Sequence, residues 1–173
     1  MKQLTAMMLS IVMIFVLTAC GSARISGEAY PEDIITEDFK IPLGDTGAKI
    51  AIPAEVGFES YDSELNDFYG GGPSGEWRII VNTEPKSDYP DCTLADYAAL
   101  SAQANEGTLA QDAQGNYYFT YTNQHSAEDV YTFYTSVRED AEKYYRIALY
   151  CFSDAWDVYC EQFAEWAATI EVE

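Results

Sequence analysis

Apolar and polar residues alternate with a period of two along three stretches in the second half of the chain. These stretches cover residues 116–122, 129–138 and 142–152. Such alternation predicts β-strands that turn one face toward a core. Because the connections between them are short, we expect the three strands to be antiparallel neighbours in one sheet.

Weaker strand patterns occur nearer the start of the chain. Residues 39–41 and 49–52 flank the Gly44–Gly47 turn and predict a hairpin. Residues 77–81 predict a strand, and residues 169–172 predict a final edge strand. Residues 53–75 resemble a loop, ending in the glycine-rich run 70–75.

Two further stretches have the period of a helix. Thr93 is predicted to cap the first, with Asp96 completing a capping box and the helix ending near Ala104. Its predicted buried stripe is Leu94, Tyr97, Ala98, Ser101 and Ala104. Ser153 is predicted to cap the second helix, with Asp154 and Asp157 near its positive end. Its predicted stripe is Trp156, Cys160, Phe163 and Ala167.

The register of the last two long strands decides which side chains share a face. A three-residue turn at 139–141 would pair Tyr131 with Leu149 and Phe133 with Ile147. The core face would then hold Tyr117, Phe119, Tyr121, Tyr131, Phe133, Val137, Tyr145, Ile147, Leu149 and Cys151. The opposite face would hold Tyr118, Thr120, Thr122, Val130, Thr132, Tyr134, Tyr144, Arg146 and Tyr150.

This opposite face is the one predicted binding surface. Its candidate contacts are Tyr118, Thr120, Thr132, Tyr134, Tyr144 and Arg146. Tyrosine combines flat apolar area with a hydroxyl, which suits a sugar, a peptide or a partner protein. The alternative is that a second helix or the N-terminal hairpin covers this face.

Together these elements predict a single α+β domain over residues 38–173, with a twisted antiparallel sheet of about six or seven strands and two helices packed on it. The succession of two strands, a helix beginning Ser153-Asp-Ala-Trp156, and then the run Phe163-Ala-Glu-Trp-Ala-Ala-Thr-Ile170 resembles the C-terminal half of PsbP-like domains. The resemblance implies a non-enzymatic binding or assembly subunit. It assigns no functional residue.

The first nineteen residues have the pattern of a secretory signal. Lys2 precedes an apolar run over residues 4–19, which is shorter than the ~20 residues that a bilayer-spanning helix needs. The run ends in Leu17-Thr-Ala-Cys20-Gly21, which resembles a bacterial lipobox. That resemblance implies lipid attachment at Cys20, a linker over residues 20–37, and a protein anchored on the extracytoplasmic face of a membrane.

Charge excludes some partners. The chain has 29 acidic and nine basic residues, a formal charge of −20. Removal of residues 1–19 would take away Lys2 and make it −21. Such a domain repels nucleic-acid phosphates and anionic headgroups, so we expect no nucleic-acid partner. The acids serve solubility, or alternatively bind a divalent cation.

The sequence contains no cofactor motif. The glycines at 70–75 precede a strand and lack the lysine of a phosphate-binding loop. The acidic residues that begin at Asp62 lack the ligand spacing of an EF-hand. An irregular calcium site among them remains an alternative. His125 is the single histidine and cannot form a multi-histidine zinc site, so we expect a surface loop residue.

If Cys20 carries lipid, three cysteines remain. Cys151 and Cys160 both face inward on the predicted elements, so they either form a disulfide or pack as two small apolar thiols. Cys92 precedes the first helix and lacks a redox motif. The sequence therefore predicts no enzyme, but a membrane-anchored binding or assembly module. A hydrolase of an envelope polymer that uses two carboxylates, or a structural spacer, remains an alternative.

Overall fold

A computed structural model describes residues 40–126 and 128–173. The predicted signal, Cys20 and the linker lie outside these residues. The described parts of the chain form two helices, α1 (Leu94–Ala104) and α2 (Trp156–Ala168). They also form ten strands: β1 (Ile41–Pro42), β2 (Ala48–Ile50), β3 (Glu59–Tyr61), β4 (Phe68–Gly71), β5 (Trp77–Pro85), β6 (Thr108–Gln111), β7 (Tyr117–Gln124), β8 (Val130–Glu139), β9 (Lys143–Phe152) and β10 (Glu171–Val172).

Seven strands form one antiparallel sheet in the order β3-β4-β5-β9-β8-β7-β6, and a second small sheet has the order β1-β2-β10. The predicted α+β class with a seven-stranded sheet and two helices is therefore confirmed. The predicted hairpin and the final edge strand form the small sheet. The prediction of a loop over residues 53–75 is wrong, because β3 and β4 lie within it, and β6 has no counterpart among the predicted strands.

The predicted register between β8 and β9 is wrong by three residues. Tyr131 lies opposite Phe152, and Phe133 lies opposite Tyr150. The turn sets this register: Asp140 accepts hydrogen bonds from the backbone N–H groups of Glu142 (2.6 Å) and Lys143 (2.7 Å). Since side chains alternate with a period of two, an odd shift moves every β8 side chain to the other face relative to β9.

One face of the large sheet, the α2 face, carries the main core. Trp77, Ile79 and Val81 on β5 lie beside Ile147 and Leu149 on β9, and all five are fully buried. The small sheet and α2 cover them, and Phe163, Trp166 and Ala167 are the buried residues of that helix. Of the predicted stripe on α2, Trp156 and Cys160 are only half-buried.

Ser153 does not cap α2 as predicted. A 3-10 turn over Ser153–Ala155 precedes the helix, and Ala155 stands at its N-cap without a side-chain hydrogen bond. The Ser153 hydroxyl instead lies 2.7 Å from the Thr132 hydroxyl on β8, so it joins the end of the sheet to the start of the helix.

Helix α1 covers part of the opposite face, the α1 face. The predicted capping box is present: the Thr93 hydroxyl accepts from the Asp96 N–H, and the Asp96 carboxylate accepts from the Thr93 N–H. Tyr97, Ala98, Ser101 and Ala102 are buried against the sheet, whereas Leu94 is half-buried and Ala104 is exposed. In the described part of the chain, no helix is long and apolar enough to span a membrane.

Candidate functional site

The predicted binding face does not exist as one surface, because the shifted register divides it. Tyr118, Thr120, Thr132 and Tyr134 lie on the α2 face. Tyr144 and Arg146 lie on the α1 face, where Tyr144 is buried against Tyr97 with the two rings stacked at 4.2 Å. Three of the first four already contact other residues of the domain: Tyr134 is buried and stacks on Tyr118 at 4.7 Å, and Thr132 contacts Ser153. Thr120 is half-buried.

A different group of aromatic side chains lies where α1 does not cover the sheet; Phe152 is exposed, three tyrosines are half-buried, and Phe133 and Tyr150 are buried by their neighbours. Helix α1 packs on β6, β7 and β8 and leaves the far end of the α1 face without a helix in the described residues. We call this area the aromatic face, and it consists of Tyr69, Tyr121, Tyr131, Phe133, Tyr150 and Phe152. Its floor is made of Ile80 and Ala148, which are buried beneath the rings.

The rings of the aromatic face stack on one another across strands. Tyr121, Phe133 and Tyr150 stand opposite each other on β7, β8 and β9, with centroids 4.5 and 4.7 Å apart and planes inclined by 7° and 21°. Tyr131 and Phe152 form a second stack at 4.6 Å. Because the ring faces turn toward each other along the sheet, Phe133 and Tyr150 are buried, and the half-buried Tyr121 and Tyr131 offer solvent ring edges and hydroxyl groups. Ring edges carry the positive part of the aromatic quadrupole.

Arg78 on β5 lies at one end of this stack, opposite Tyr150. Its Nε donates to the Tyr69 hydroxyl at 3.1 Å, its Nη1 donates to the Gly72 carbonyl at 3.2 Å, and its guanidinium lies 5.2 Å from the centre of the Tyr61 ring. Among the described residues it has no carboxylate within salt-bridge distance. Arg78 therefore places a positive charge without a direct ion pair at the end of the aromatic face.

The glycine-rich run fits closely around Arg78. Gly75 has a left-handed φ of 80°, and a Cβ there would lie 2.6 Å from Nη2 of Arg78. At Gly71 a Cβ would lie 2.4 Å from the Trp77 carbonyl oxygen. The run that the sequence presents as a loop is thus partly strand β4 and partly a tight turn against the arginine.

A small polar pocket lies beside α1, on the part of the sheet that the helix leaves open. It is lined by Glu84, Tyr89, Tyr97, Leu100, Ser101 and Arg146. Nη2 of Arg146 donates to Glu84 at 2.6 Å, and the Tyr89 hydroxyl donates to the other oxygen of that carboxylate. Burial raises the pKa of Tyr97 to about 12, so its hydroxyl stays protonated at neutral pH.

The remaining candidate residues lie apart from these two places. Among the described residues, Cys92, Cys151 and Cys160 are free thiols, and burial raises the pKa of Cys151 to about 11. His125 is exposed in the turn between β7 and β8. Within the described ranges, no group of three or more histidine, cysteine or acidic side chains could hold a metal ion.

Sequence reasoning missed the aromatic face for two reasons. Tyr69 and Arg78 fall in or beside the stretch interpreted as a loop. The predicted register, three residues away from the observed one, places Tyr121, Tyr131 and Phe133 on the same face as Ile147 and Leu149, whereas they lie on the opposite face, where Phe133 is buried. One signal was present: a buried core seldom needs so many tyrosine hydroxyls, and the chain has 14 tyrosines against 8 phenylalanines.

Comparison with solved structures identifies similar folds at low identity. The solution structure of cyanobacterial PsbP (CyanoP) from Synechocystis sp. PCC 6803 matches with a TM-score of 0.51 and 16% identity, over 91% of this chain and 99% of that one. A crystal structure from Bacteroides thetaiotaomicron matches with a TM-score of 0.54 and 11% identity, over 78% of this chain. This chain spans about half of that protein, since 48% of it is covered.

No protein-family model matches the sequence, and no curated protein matches it. The similarities to solved structures therefore establish the fold alone. They confirm the predicted resemblance to a PsbP-like α+β domain.

Proposed function

We propose that this protein is a non-enzymatic binding module, anchored by lipid at Cys20 to the extracytoplasmic face of a membrane, and that it binds a partner protein through the aromatic face. The observation that carries the proposal is a group of aromatic rings that α1 does not cover, in which Phe152 is exposed, Tyr69, Tyr121 and Tyr131 are half-buried, and Phe133 and Tyr150 form the buried base. The similarity to a PsbP-like protein is compatible with a module of this kind.

The geometry of the rings favours a protein over a glycan on this face. A sugar stacks on a flat ring face, but these rings turn their faces toward each other. Exposed ring edges, tyrosine hydroxyls and the Arg78 guanidinium instead suit backbone carbonyls and the aromatic side chains of a protein surface. Phe152, which is 40% exposed, supplies apolar area at the rim.

The net charge of the chain and the position of Arg78 indicate which charges the partner surface carries. The chain carries −20 overall, whereas Arg78 places one positive charge at the end of the aromatic face. Complementary potentials steer association and select partners. We therefore expect a partner with a neutral, aromatic or carbonyl-rich centre that is surrounded by basic residues.

Site-specific photo-crosslinking on intact cells tests this proposal. A photoreactive phenylalanine analogue in place of Phe152 should give one discrete protein adduct. The matched control carries the analogue at Val158, which is 66% exposed on α2, and should give none. The adduct should also be lost from cells that produce the Cys20→Ser variant, because the protein would no longer be anchored. Equal adducts at both positions would argue against the aromatic face as the binding surface.

A further inference from the structure

Arg78 differs from the other arginines of the described residues, because it meets solvent and has no acidic partner. Four of the described basic side chains form ion pairs with glutamates, namely Lys40, Lys49, Lys86 and Arg146. Arg138 forms none, but it is buried and donates to the carbonyl groups of Val137 and Ala167. Arg78 is only half-buried. A chain with 29 acidic residues therefore leaves an accessible guanidinium without a carboxylate from the part that the structure describes.

The unused donors of Arg78 belong to one nitrogen, and water reaches that nitrogen. Nε donates to the Tyr69 hydroxyl at 3.1 Å, and Nη1 donates to the carbonyl groups of Gly72 at 3.2 Å and Trp77 at 2.9 Å. Nη2 has no hydrogen-bond partner among the described residues. It is not one of the buried atoms that lack a partner, so it retains contact with solvent. Both of its N–H groups are therefore available to an acceptor from outside.

The surroundings of Arg78 hold its guanidinium in one position. Three hydrogen bonds fix Nε and Nη1, and the guanidinium lies 5.2 Å from the centre of the Tyr61 ring. The turn at Gly75 lies against Nη2, since a Cβ at Gly75 would be 2.6 Å from that atom. A donor that is already fixed loses little conformational freedom when a ligand binds, which favours affinity.

Tyrosine hydroxyls beside Arg78 add further donors. Tyr150 lies opposite Arg78 on the neighbouring strand, and its hydroxyl is a hydrogen-bond neighbour of the Tyr69 hydroxyl. Whichever of these two donates to the other, one hydroxyl proton of the pair remains. Burial raises the pKa of Tyr131 and Tyr150, while the Arg78 charge acts in the opposite direction, so both stay protonated at neutral pH. Donors therefore outnumber acceptors at this end of the aromatic face.

A protein that docks on the aromatic face would take water away from Arg78. A charge that is removed from water without an opposite charge beside it is costly. Glu59 stands near this end of the face, but it accepts from the Tyr61 hydroxyl at 3.3 Å and forms no ion pair with Arg78. The negative group should therefore come from the partner. A phosphate monoester would place up to two charges beside one cation in a chain of −20, so a single carboxylate is the better match.

We propose that the partner protein places one aspartate or glutamate side chain against Nη2 of Arg78, at the edge of the neutral centre that covers the aromatic rings. This inference rests on the proposed function, because it names the group by which that partner is recognised. The second carboxylate oxygen can accept from a tyrosine hydroxyl beside Arg78. Basic residues around this carboxylate on the partner would face the acidic remainder of the domain.

Titration by ¹H–¹⁵N NMR of the full chain in a zwitterionic detergent tests the site without the partner. The probes are a capped tyrosyl-glutamate dipeptide and its neutral match, capped tyrosyl-glutamine, each up to about 50 mM. The Nε–H signal of Arg78 is the direct reporter, because this group is hydrogen-bonded to Tyr69 and belongs to the guanidinium itself. We expect saturable shifts of this signal with the glutamate dipeptide, and an affinity about five-fold lower for the glutamine dipeptide.

Variants show whether the discrimination between the two dipeptides depends on Arg78. Arg78→Gln removes the positive charge and should abolish the discrimination. Lys143→Gln is the matched control, because it changes the net charge equally at the other end of β9 and should leave the discrimination unchanged. Arg78→Lys keeps the charge if glutamine loosens the turn at Gly75, and it should still prefer the glutamate dipeptide. Melting temperatures compared with the wild type show that each variant is folded.

The photo-crosslink from Phe152 separates this inference from the proposed function. Arg78→Gln should lower the yield of the adduct about five-fold, and Lys143→Gln should leave it unchanged. An undiminished adduct in folded Arg78→Gln would mean that a partner binds the aromatic face without pairing with Arg78, so the inference fails and the proposed function stands. Equal affinity of the wild type for both dipeptides would also overturn the inference. The absence of any adduct in the wild type would overturn the proposed function, and the inference with it.

Discussion

At the scale of single residues, two threonines on β8 show how differently one side chain type can be used. Thr132 lies on the α2 face, where its hydroxyl is 2.7 Å from that of Ser153. Thr135 lies on the α1 face and is 2% exposed, and its Oγ1 has no hydrogen-bond partner in the part of the chain that the structure describes. The first hydroxyl connects two elements. The second hydroxyl is buried without a hydrogen bond to offset the loss of its contacts with water.

We expect Thr135→Val to stabilise the protein by about 1 kcal/mol, because valine has nearly the same shape and removes the unpaired hydroxyl. Thr132→Val is the matched control and should cost about 1 kcal/mol, since it breaks the contact with Ser153. Urea unfolding followed by circular dichroism measures both. A loss of stability in Thr135→Val would mean that its hydroxyl has a partner in solution.

At the scale of elements, the β8–β9 turn determines the positions of the surrounding side chains. Asp140 accepts hydrogen bonds from the Glu142 and Lys143 N–H groups, and the Tyr145 hydroxyl donates to its second oxygen. These bonds leave only residues 141 and 142 in the loop between the paired Asp140 and Lys143. Burial on both faces makes β9 apolar at most positions, so its hydrophobic pattern alone does not choose between two registers.

We expect Asp140→Ala to destabilise the protein by about 1–2 kcal/mol, because two backbone donors and a tyrosine hydroxyl lose their acceptor. Glu142→Ala is the matched control in the same turn. Its exposed side chain makes no hydrogen bond or ion pair among the described residues, so we expect a change within about 0.5 kcal/mol. Equal effects of the two variants on the urea midpoint would show that the Asp140 side chain does not fix the turn.

This turn also explains why the sequence predicts the elements of the fold but not the register of the strands. The helices, the long strands and the α1 capping box follow from local periodicity and capping residues, and the structure has them near the expected positions. The composition of the aromatic face depends on the register, and the register depends on the side-chain conformation of Asp140. A local pattern does not contain that information. Strands β3 and β4 have too many glycine and polar residues to stand out from a loop.

At the scale of the whole molecule, buried tyrosines couple stability to alkaline pH. Burial raises the pKa of Tyr97 and Tyr121 from 10.0 to about 12. In the unfolded chain both would ionise near pH 10. Their contribution to stability is therefore fully present below pH 10 and is lost as the pH rises from 10 to 12, because the unfolded state releases these protons first.

We expect the free energy of unfolding to fall by about 1 kcal/mol for each of these two tyrosines between pH 9 and pH 11. Urea midpoints over this range, with tyrosinate absorbance at 295 nm on the same samples, measure the effect. Tyr97→Phe should reduce the fall by about 1 kcal/mol. Ionisation of all 14 tyrosines near pH 10 with native circular dichroism retained would contradict this assignment.

The small sheet determines on which side of the large sheet the polypeptide enters the domain. Strands β1 and β10 flank β2, and Lys40 forms an ion pair of 2.7 Å with Glu171, so the polypeptide enters the domain beside its last strand. This sheet packs on the α2 face, whereas the aromatic face lies on the other side of the large sheet. Lys40, the first residue that the structure describes, therefore lies on the opposite side of the large sheet from the aromatic face, and a partner that docks on that face would approach the domain from the side away from Lys40.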